Sequence, residues 1–510
     1  MSVERSDLTG FVRGKPARSV PVIIVVYLML AVLFAAYTPA WQAPDEPAHY
    51  NYIKYLAEQH RFPVLKPGDY PALYLEEIKA ARFPPEMSIA PVRYEFHQPP
   101  LYYLLAVPVY LLFGGALLPL RLLTVAIGAA LLVVVNRMVQ EVAPRRPGLA
   151  LAATAFTALL PMHLAQSAAA GNDLLAELLL ATIVLLAIRY LKMPGGGARD
   201  RSTNQVVVVL GVATGLALLT KSGIYVALPL VLLAIVVRHV WLAEQPFSGR
   251  AFLKAVALYL LPALAMVLPW WVRNLVQYGG LDLLGLERHN VVVAGQLRTA
   301  EFLATNGTAR WLSDLGLTTF RSFWGQVGWM GVLIDVRLYQ ALAIWSGVAL
   351  AGFAAWAVCA WRQAEQRWHP ALWQAAAGGL LALLALFSVA SYLWYNTQFV
   401  QFQGRYLFTA LPPISLAVAV GWREALRRDR APLLAVLVLG GAAVLVVGSL
   451  LVGNLAEWPV LMLGVGGAAF AARRFVPLRW DPLVEALPYL LLIPLDVACL
   501  FLFIVPQLAR

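Results

Sequence analysis

Asp45 and Glu46 stand side by side immediately after the first apolar run, in Trp41-Gln42-Ala43-Pro44-Asp45-Glu46-Pro47-Ala48-His49-Tyr50. Pro47 suits the first position of a short helix running to about Glu58, which puts both carboxylates at the positive end of its dipole. Free N–H groups and the dipole favour ionised carboxylates there, the state that a general base or a metal ligand needs. His49 lies one turn past Asp45 on the same face. The competing reading is a plain N-terminal cap, the commoner use of acids at such a position.

Further along, Tyr94-Glu95-Phe96-His97-Gln98-Pro99-Pro100-Leu101-Tyr102-Tyr103 carries a histidine to the start of another apolar run. A lone His beside aromatics is more often a hydrogen-bonded interfacial residue than a catalyst. Asp173 opens an apolar run, and Lys221, Arg273 and Arg405 sit singly at the edges of others. Charges at such depths are costly and tend to be kept for a purpose. An anion near one membrane face accounts for three such cations, whereas snorkelling to headgroups accounts well for any one. Arg321-Ser322-Phe323-Trp324-Gly325-Gln326-Val327-Gly328-Trp329-Met330 interleaves aromatics with glycine, as a sugar-stacking surface or an interfacial aromatic belt would. Cys359 and Cys499 fall inside apolar runs, and Asp496 lies within the last one without an evident partner.

What must position these groups is a membrane bundle. Of 510 residues 61% are hydrophobic and 13% charged, against roughly 25% charged in soluble domains. That excludes a soluble enzyme, a nucleic-acid binder and an outer-membrane barrel. Candidate spans read as 20–40, 118–138, 147–168, 173–191, 204–220, 222–240, 252–271, 339–361, 371–392, 406–422, 432–453, 457–472 and 484–507. A further run, Leu101 to Phe113, reaches only ~20 Å as a helix, short of the ~30 Å hydrocarbon core, and reads as re-entrant or interfacial. With that run uncrossed, every basic cluster (Arg137/Arg145/Arg146, Arg189/Lys192/Arg199/Arg201, Arg423/Arg427/Arg428/Arg430 and the rest) shares the side of the basic N-terminus, which makes that side cytoplasmic. The net charge of +12 therefore reports topology and not a nucleic-acid partner. The expectation is an all-α polytopic protein of about thirteen spans, N-terminus inside, with outer loops at 41–100 and 273–338 and short interfacial helices in the first. Eight of the chain's 27 acids lie in that first loop. The only linker-like stretch is Pro194-Gly195-Gly196-Gly197.

In this order the pieces resemble the polytopic glycosyltransferases of the C superfold, the group of protein O-mannosyltransferases, oligosaccharyltransferase catalytic subunits and lipid A aminoarabinose transferases. The matching residues are Asp45-Glu46 with Tyr50 and Tyr52, His97-Gln98-Pro99-Pro100-Leu101-Tyr102-Tyr103, Asn172-Asp173, Leu219-Thr220-Lys221, Trp270-Trp271-Val272-Arg273-Asn274, and Gln403-Gly404-Arg405-Tyr406-Leu407 with Pro412-Pro413. Phe323-Trp324-Gly325 and Gly328-Trp329, with the Pro44–His49 stretch, look most like a bacterial branch of the group. The sequence departs from the group where Gln98 separates His97 from the Pro pair, and no aminoarabinose-transferase metal ligand is matched in the first loop.

The resemblance implies a catalytic module over 1–422, with 423–510 as supporting helices, in a bacterial inner membrane and acting at its outer face. It implies transfer of a sugar from a polyprenyl-phosphate carrier to an acceptor hydroxyl on a lipid, glycan or protein, with inversion. Asp45 would be the base and Glu46 its companion. Lys221, Arg273 and Arg405, with Tyr406, would hold the donor phosphate; His49, Trp324 and Trp329 would meet acceptor or sugar; a divalent ion (Mg or Mn) would sit at Asp173 and His97. A transporter or flippase of a lipid-linked sugar is the reading from another class. It predicts repeated halves and charges near the midplane, whereas these charges gather at one edge and no repeat is visible.

Overall fold

The structure, a computed structural model, describes residues 19–193, 201–363, 371–452 and 456–509. Arg5, Arg13, Lys15 and Arg18, the linker 194–197, Arg199 and Arg367 lie outside the described residues. The chain is a multi-pass bundle of helices: α1 Ser19–Tyr37, α2 Glu46–Gln59, α3 Ala72–Ala80, α4 Leu101–Leu112, α5 Leu117–Val142, α6 Pro147–Ala158, α7 Pro161–Ser167, α8 Asp173–Lys192, α9 Arg201–Leu218, α10 Ala227–Val240, α11 Gly249–Tyr278, α12 Leu286–Val292 and α13 Thr299–Trp324. A two-stranded hairpin, β1 Gln326–Val327 and β2 Val332–Leu333, leads to α14 Val336–Gln363, α15 Leu372–Gln398, α16 Leu411–Ala425, α17 Ala431–Val452, α18 Glu457–Ala472, α19 Asp481–Leu490, α20 Leu492–Ala498 and α21 Val505–Leu508.

Among the described residues nine helical stretches are long and apolar enough to cross a bilayer, and ten if α6 with α7 counts as one. Three of the thirteen expected spans, represented by α9, α16 and α18, fall outside that test. The expected span 147–168 is broken, its halves meeting at 65°. Pro161 is the reason: it lacks the N–H that would continue α6, and it drives Leu160 into extended backbone (ψ 115) before opening α7. The α4 helix, twelve residues with Pro108 inside, is shorter than a span, in keeping with an interfacial element.

Two apolar clusters hold the bundle. One joins α1 to α14 and α16 through Tyr27, Phe34, Phe156, Trp324 and Leu411, with Leu492, Cys499 and Leu508 from the C-terminus. The other lies among α8, α9, α10 and α15. Outward faces stay apolar, as on α17, where Val436 and Leu451 are largely exposed, which suits contact with lipid. The α8 helix sets the axis of the molecule. Asp173 is its first residue, and Arg189 and Lys192, at the far end, share Glu141 of α5. Sixteen residues of helix set the acid about 24 Å from that basic end.

Candidate active site

The α2 helix spans Glu46–Gln59 with Asp45 as its N-cap residue, but Asp45 makes no capping hydrogen bond. Its backbone is left-handed (φ 68), a conformation Asp tolerates better than most residues. Freed from the helix, the carboxylate is held by two distant partners. Oδ1 accepts from the Tyr94 hydroxyl at 2.7 Å and Oδ2 from Arg405 Nη2 at 2.7 Å. The Asp45 side chain keeps 28% exposure, so a substrate can reach it. Burial alone would raise the Asp45 pKa; the charges of Arg405 and His49 and the hydrogen bonds from Tyr94 and Arg405 outweigh it and hold the group at about 2.

Arg405 sits on a 3-10 turn, Gly404–Ala410, and donates through Nε to Gln403 Oε1 at 2.7 Å. Gly404 allows this turn to lie against α13. A Cβ there would come within 2.4 Å of Phe323 N and Thr319 O, and Gly404 N donates instead to Ser322 Oγ at 2.7 Å. Tyr406 packs beside the guanidinium and edge-on to Tyr395.

A second ion pair, Lys221 with Asp173, joins the turn after α9 to the start of α8. Asn172 Nδ2 donates to the Thr220 carbonyl at 3.0 Å and fixes the same junction. Burial favours the neutral amine at Lys221, but the charge and hydrogen bond of Asp173 prevail and raise its pKa. His49 Nδ1 lies 2.9 Å from the Tyr103 hydroxyl, and Tyr103 stacks on Tyr52 at 3.7 Å. Asp45, His49, Asp173, Lys221 and Arg405 thus gather at one end of the bundle, as their positions at the edges of apolar runs suggest.

Glu46, expected as Asp45's partner in chemistry, is closed off. Arg121 donates to both its oxygens, Nε to Oε1 at 2.8 Å and Nη2 to Oε2 at 2.7 Å, and the amides of Ala170 and Trp41 donate at 3.1 and 3.2 Å. With Glu46 at 0% and Arg121 at 4% side-chain exposure, this pair has no face for substrate. Arg121 also donates to the carbonyls of Ala35, Thr38 and Pro39, tying down the end of α1. Sequence reasoning missed Arg121, although a lone cation four residues into the apolar run of α5 is a signal of the same kind as Lys221 or Arg405.

The structure sets several expected residues apart. Arg273 donates to Asn274 Oδ1 at 2.8 Å, to the Tyr278 hydroxyl at 3.3 Å and to the Pro63 carbonyl, and its guanidinium lies over Trp270. Trp324 is 2% exposed, packed edge-on to Phe156 and Trp345 in the core, and cannot meet a sugar. Trp329 donates to the Trp41 carbonyl at 3.0 Å and stacks on Phe83 in the loop 41–100. His97 donates through Nδ1 to the Tyr94 carbonyl at 3.0 Å, and its ring lies 4.4 Å from that of His289. Burial lowers the pKa of His97 to about 4 and of His289 to about 3. Among the described residues no three His, Cys, Asp or Glu side chains converge to hold a metal ion. Asp173 faces Lys221 and His97 faces its own loop, so the donor set does not fit the expected divalent site.

No family profile and no curated protein matches the sequence. Solved structures do match its fold. ArnT from Cupriavidus metallidurans in the apo state superposes with a TM-score of 0.50 at 15% identity, over 95% of this chain and 77% of that one. The chain shares its fold with that structure. ArnT bound to undecaprenyl phosphate gives 0.49 at 15% identity over 95% and 76% of the two chains. The Archaeoglobus fulgidus oligosaccharyltransferase AglB, in complex with an inhibitory peptide and a dolichol-phosphate, gives 0.49 at 14% identity over 94% and 56%.

Within the bundle a small cavity opens beside the two open ion pairs. His49, Asp173 and Arg405 line it, together with Gln42, Gln166 and, from the far C-terminus, Leu508. Leu508 is fitted against the hairpin: Gly328 (φ 60) has no room for a Cβ, which would fall 2.9 Å from the Leu508 side chain. The last helix therefore closes one wall of the cavity, a role its sequence does not announce.

Proposed function

We propose that the protein is an integral-membrane glycosyltransferase that moves a sugar from a polyprenyl-phosphate donor to an acceptor hydroxyl at the extracytoplasmic face of a bacterial inner membrane. The observation that carries this reading is the half-open Asp45–Arg405 pair beside Lys221–Asp173, set at one end of the bundle and bordering a cavity. The fold shared with ArnT supports it, as does the ordered set of motifs in the sequence.

The chemistry follows from the groups present. The acceptor oxygen attacks the anomeric carbon as the bond from that carbon to the phosphate oxygen breaks. The polyprenyl phosphate departs with the electron pair, and the acceptor's proton passes to Asp45. A single displacement inverts the anomeric centre. Phosphate is a good leaving group, so the site requires cations at the departing charge more than a general acid, and Arg405 and Lys221 would supply them. Arg405 also links binding to basicity. While the guanidinium is bound to Asp45 the carboxylate is a weak base; a phosphate that draws Arg405 toward itself leaves Asp45 more basic when the acceptor arrives. Arg273, tied to Tyr278 and Pro63, would act farther along the lipid or not at all on the phosphate. Glu46 positions Asp45 by fixing the start of α2. On this reading 1–422 is the catalytic module, and Leu508 on the cavity wall gives 423–510 a share in shaping it.

The test follows release of polyprenyl phosphate from polyprenyl-phosphate sugars by purified wild type and Asp45→Asn, with and without chelator. Turnover by wild type alone supports the reading, and chelator sensitivity decides whether a divalent ion takes part. Lipid binding without turnover in either protein, together with transbilayer movement of the lipid, would replace it with the flippase reading.

A further inference from the structure

Four helix ends meet far from the cavity: the close of α16, the start of α17, the close of α18 and the start of α19. Arg428 and Arg473 bind them together by donating to the same oxygen of Asp481, each at 2.9 Å, and Arg473 also donates to the Leu426 carbonyl at 2.9 Å. Arg146, at the start of α6, feels the charges of Arg423, Glu424 and Arg427, so this junction lies at the same end of the bundle as Glu141 and away from Asp173. Residues 423–430 and 473–485 hold seven arginines and four acids, an excess of three positive charges. Glu424 is shared by Arg427 and Arg430, Asp429 is held by Arg427, and Asp481 is shared by Arg428 and Arg473. Arg474 and Arg479, both exposed, pair with no acid and donate no hydrogen bond among the described residues.

Their surroundings suit a lipid headgroup better than bulk water. The segment that joins α18 to α19 reads Arg473-Arg474-Phe475-Val476-Pro477-Leu478-Arg479-Trp480, and in it Phe475 and Leu478 are 73% and 61% exposed. Arg474 lies over the Phe475 ring at 4.6 Å and Arg479 over that of Trp480 at 5.9 Å. Apolar side chains exposed beside arginines fit the boundary between acyl chains and headgroups, where rings sink and guanidiniums reach phosphate. The α17 helix packs against the start of this segment, and its first turns expose Leu433, Val436 and Leu437 on one face, a lane for acyl chains. A free phosphate would use the cations but not this apolar surface. We propose that Arg474 and Arg479 bind the phosphate of an anionic phospholipid whose chains lie along α17. The planar guanidinium matches phosphate oxygens in pairs. A zwitterionic lipid carries its own cation beside the phosphate and gains less. The bound lipid braces the start of the last span, Leu478–Leu508, whose other end forms part of the cavity wall.

The experiment uses the full-length protein in phosphatidylcholine nanodiscs with and without phosphatidylglycerol. Phosphatidylglycerol should raise the thermal unfolding midpoint, and native mass spectra of the extracted protein should show it retained about tenfold over phosphatidylcholine. The double variant Arg474→Gln/Arg479→Gln should lose both effects, with its midpoint in phosphatidylcholine alone unchanged, because both side chains are exposed and unpaired. Arg145→Gln/Arg250→Gln removes the same net charge from exposed positions outside the junction and should keep both effects. Retention lost equally in the two double variants would reduce the effect to diffuse attraction and overturn the site, as would retention that survives the loss of Arg474 and Arg479. Inorganic phosphate that raised the midpoint in phosphatidylcholine nanodiscs as much as phosphatidylglycerol does would overturn the lipid as the occupant.

Discussion

Asp45 and Glu46 are chain neighbours, each bound to an arginine, yet the two pairs live in different environments. Glu46–Arg121 is sealed, at 0% and 4% exposure, with every carboxylate oxygen engaged and three further carbonyls on the arginine. Asp45–Arg405 is half open, at 28% and 9%, with a cavity beside it. A closed pair can only hold structure together, because nothing reaches it. An open pair can exchange partners with a substrate. The left-handed backbone at Asp45 produces the difference, since it turns one carboxylate off the helix axis just as the next residue enters the helix.

Substitutions can break that contrast. The largest effect is expected from Asp45→Asn, which should lower release of polyprenyl phosphate by about 10²–10⁴ and lower the thermal unfolding midpoint less than a change at the sealed Glu46 does. Glu46→Gln should do the reverse. Leaving Arg121 buried with a weakened partner should cost about 3–5 kcal/mol of stability, read as a lower unfolding midpoint in detergent, with turnover per folded molecule retained. If Glu46→Gln instead silenced the folded enzyme, the two pairs would not divide the labour as described. Arg405→Lys keeps the charge but loses the fork that spans Asp45 and Gln403, and should weaken polyprenyl-phosphate binding about tenfold, or about 1.4 kcal/mol.

The smallest effects are those of pH. The folded pKa of Asp45, about 2 against the usual 3.8, lies below its unfolded value, so its contribution to stability is full above about pH 4 and is lost as pH falls through 2. Asp45 therefore gives activity no pH dependence between 5 and 8. His97 behaves differently. Its folded pKa of about 4 lies below the unfolded 6.5, so the unfolded chain takes up the proton first. The His97 contribution should be complete above pH 6.5 and decline by up to about 1.4 kcal/mol per unit toward pH 4, where it levels. His97→Asn should make that limb shallower in unfolding titrations, with His289 supplying the remainder, without changing the Asp45 effect.

The expected pairing of Asp173 with His97 as metal ligands shows what local sequence does not encode. Asp173 and His97 have the right types for ligands, but the turn after α9 brings Lys221 onto Asp173, and the chain from Tyr94 to His97 folds His97 onto its own carbonyl and against His289. Trp324 and Trp329 look alike in sequence, and only packing sends the first into the core and the second against the loop 41–100. Pro161 was a legible break in a run that length alone joins, and Arg121 a legible cation in one that hydropathy alone passes over.

The sequence by itself determined the membrane class, the helical bundle and the edge at which acids and cations collect, because apolar run length and the cost of buried charge are local properties that each segment carries with it. It also marked Asp45, Asp173, Lys221 and Arg405. Tertiary structure decided which of the two adjacent acids stays open, because their partners lie 75 and 360 residues away and no local pattern encodes either pairing. It also decided that Gln42, Gln166 and Leu508, unremarkable in their own segments, share one cavity wall, since only the packing of α1, α7 and the last helix against one another brings them together.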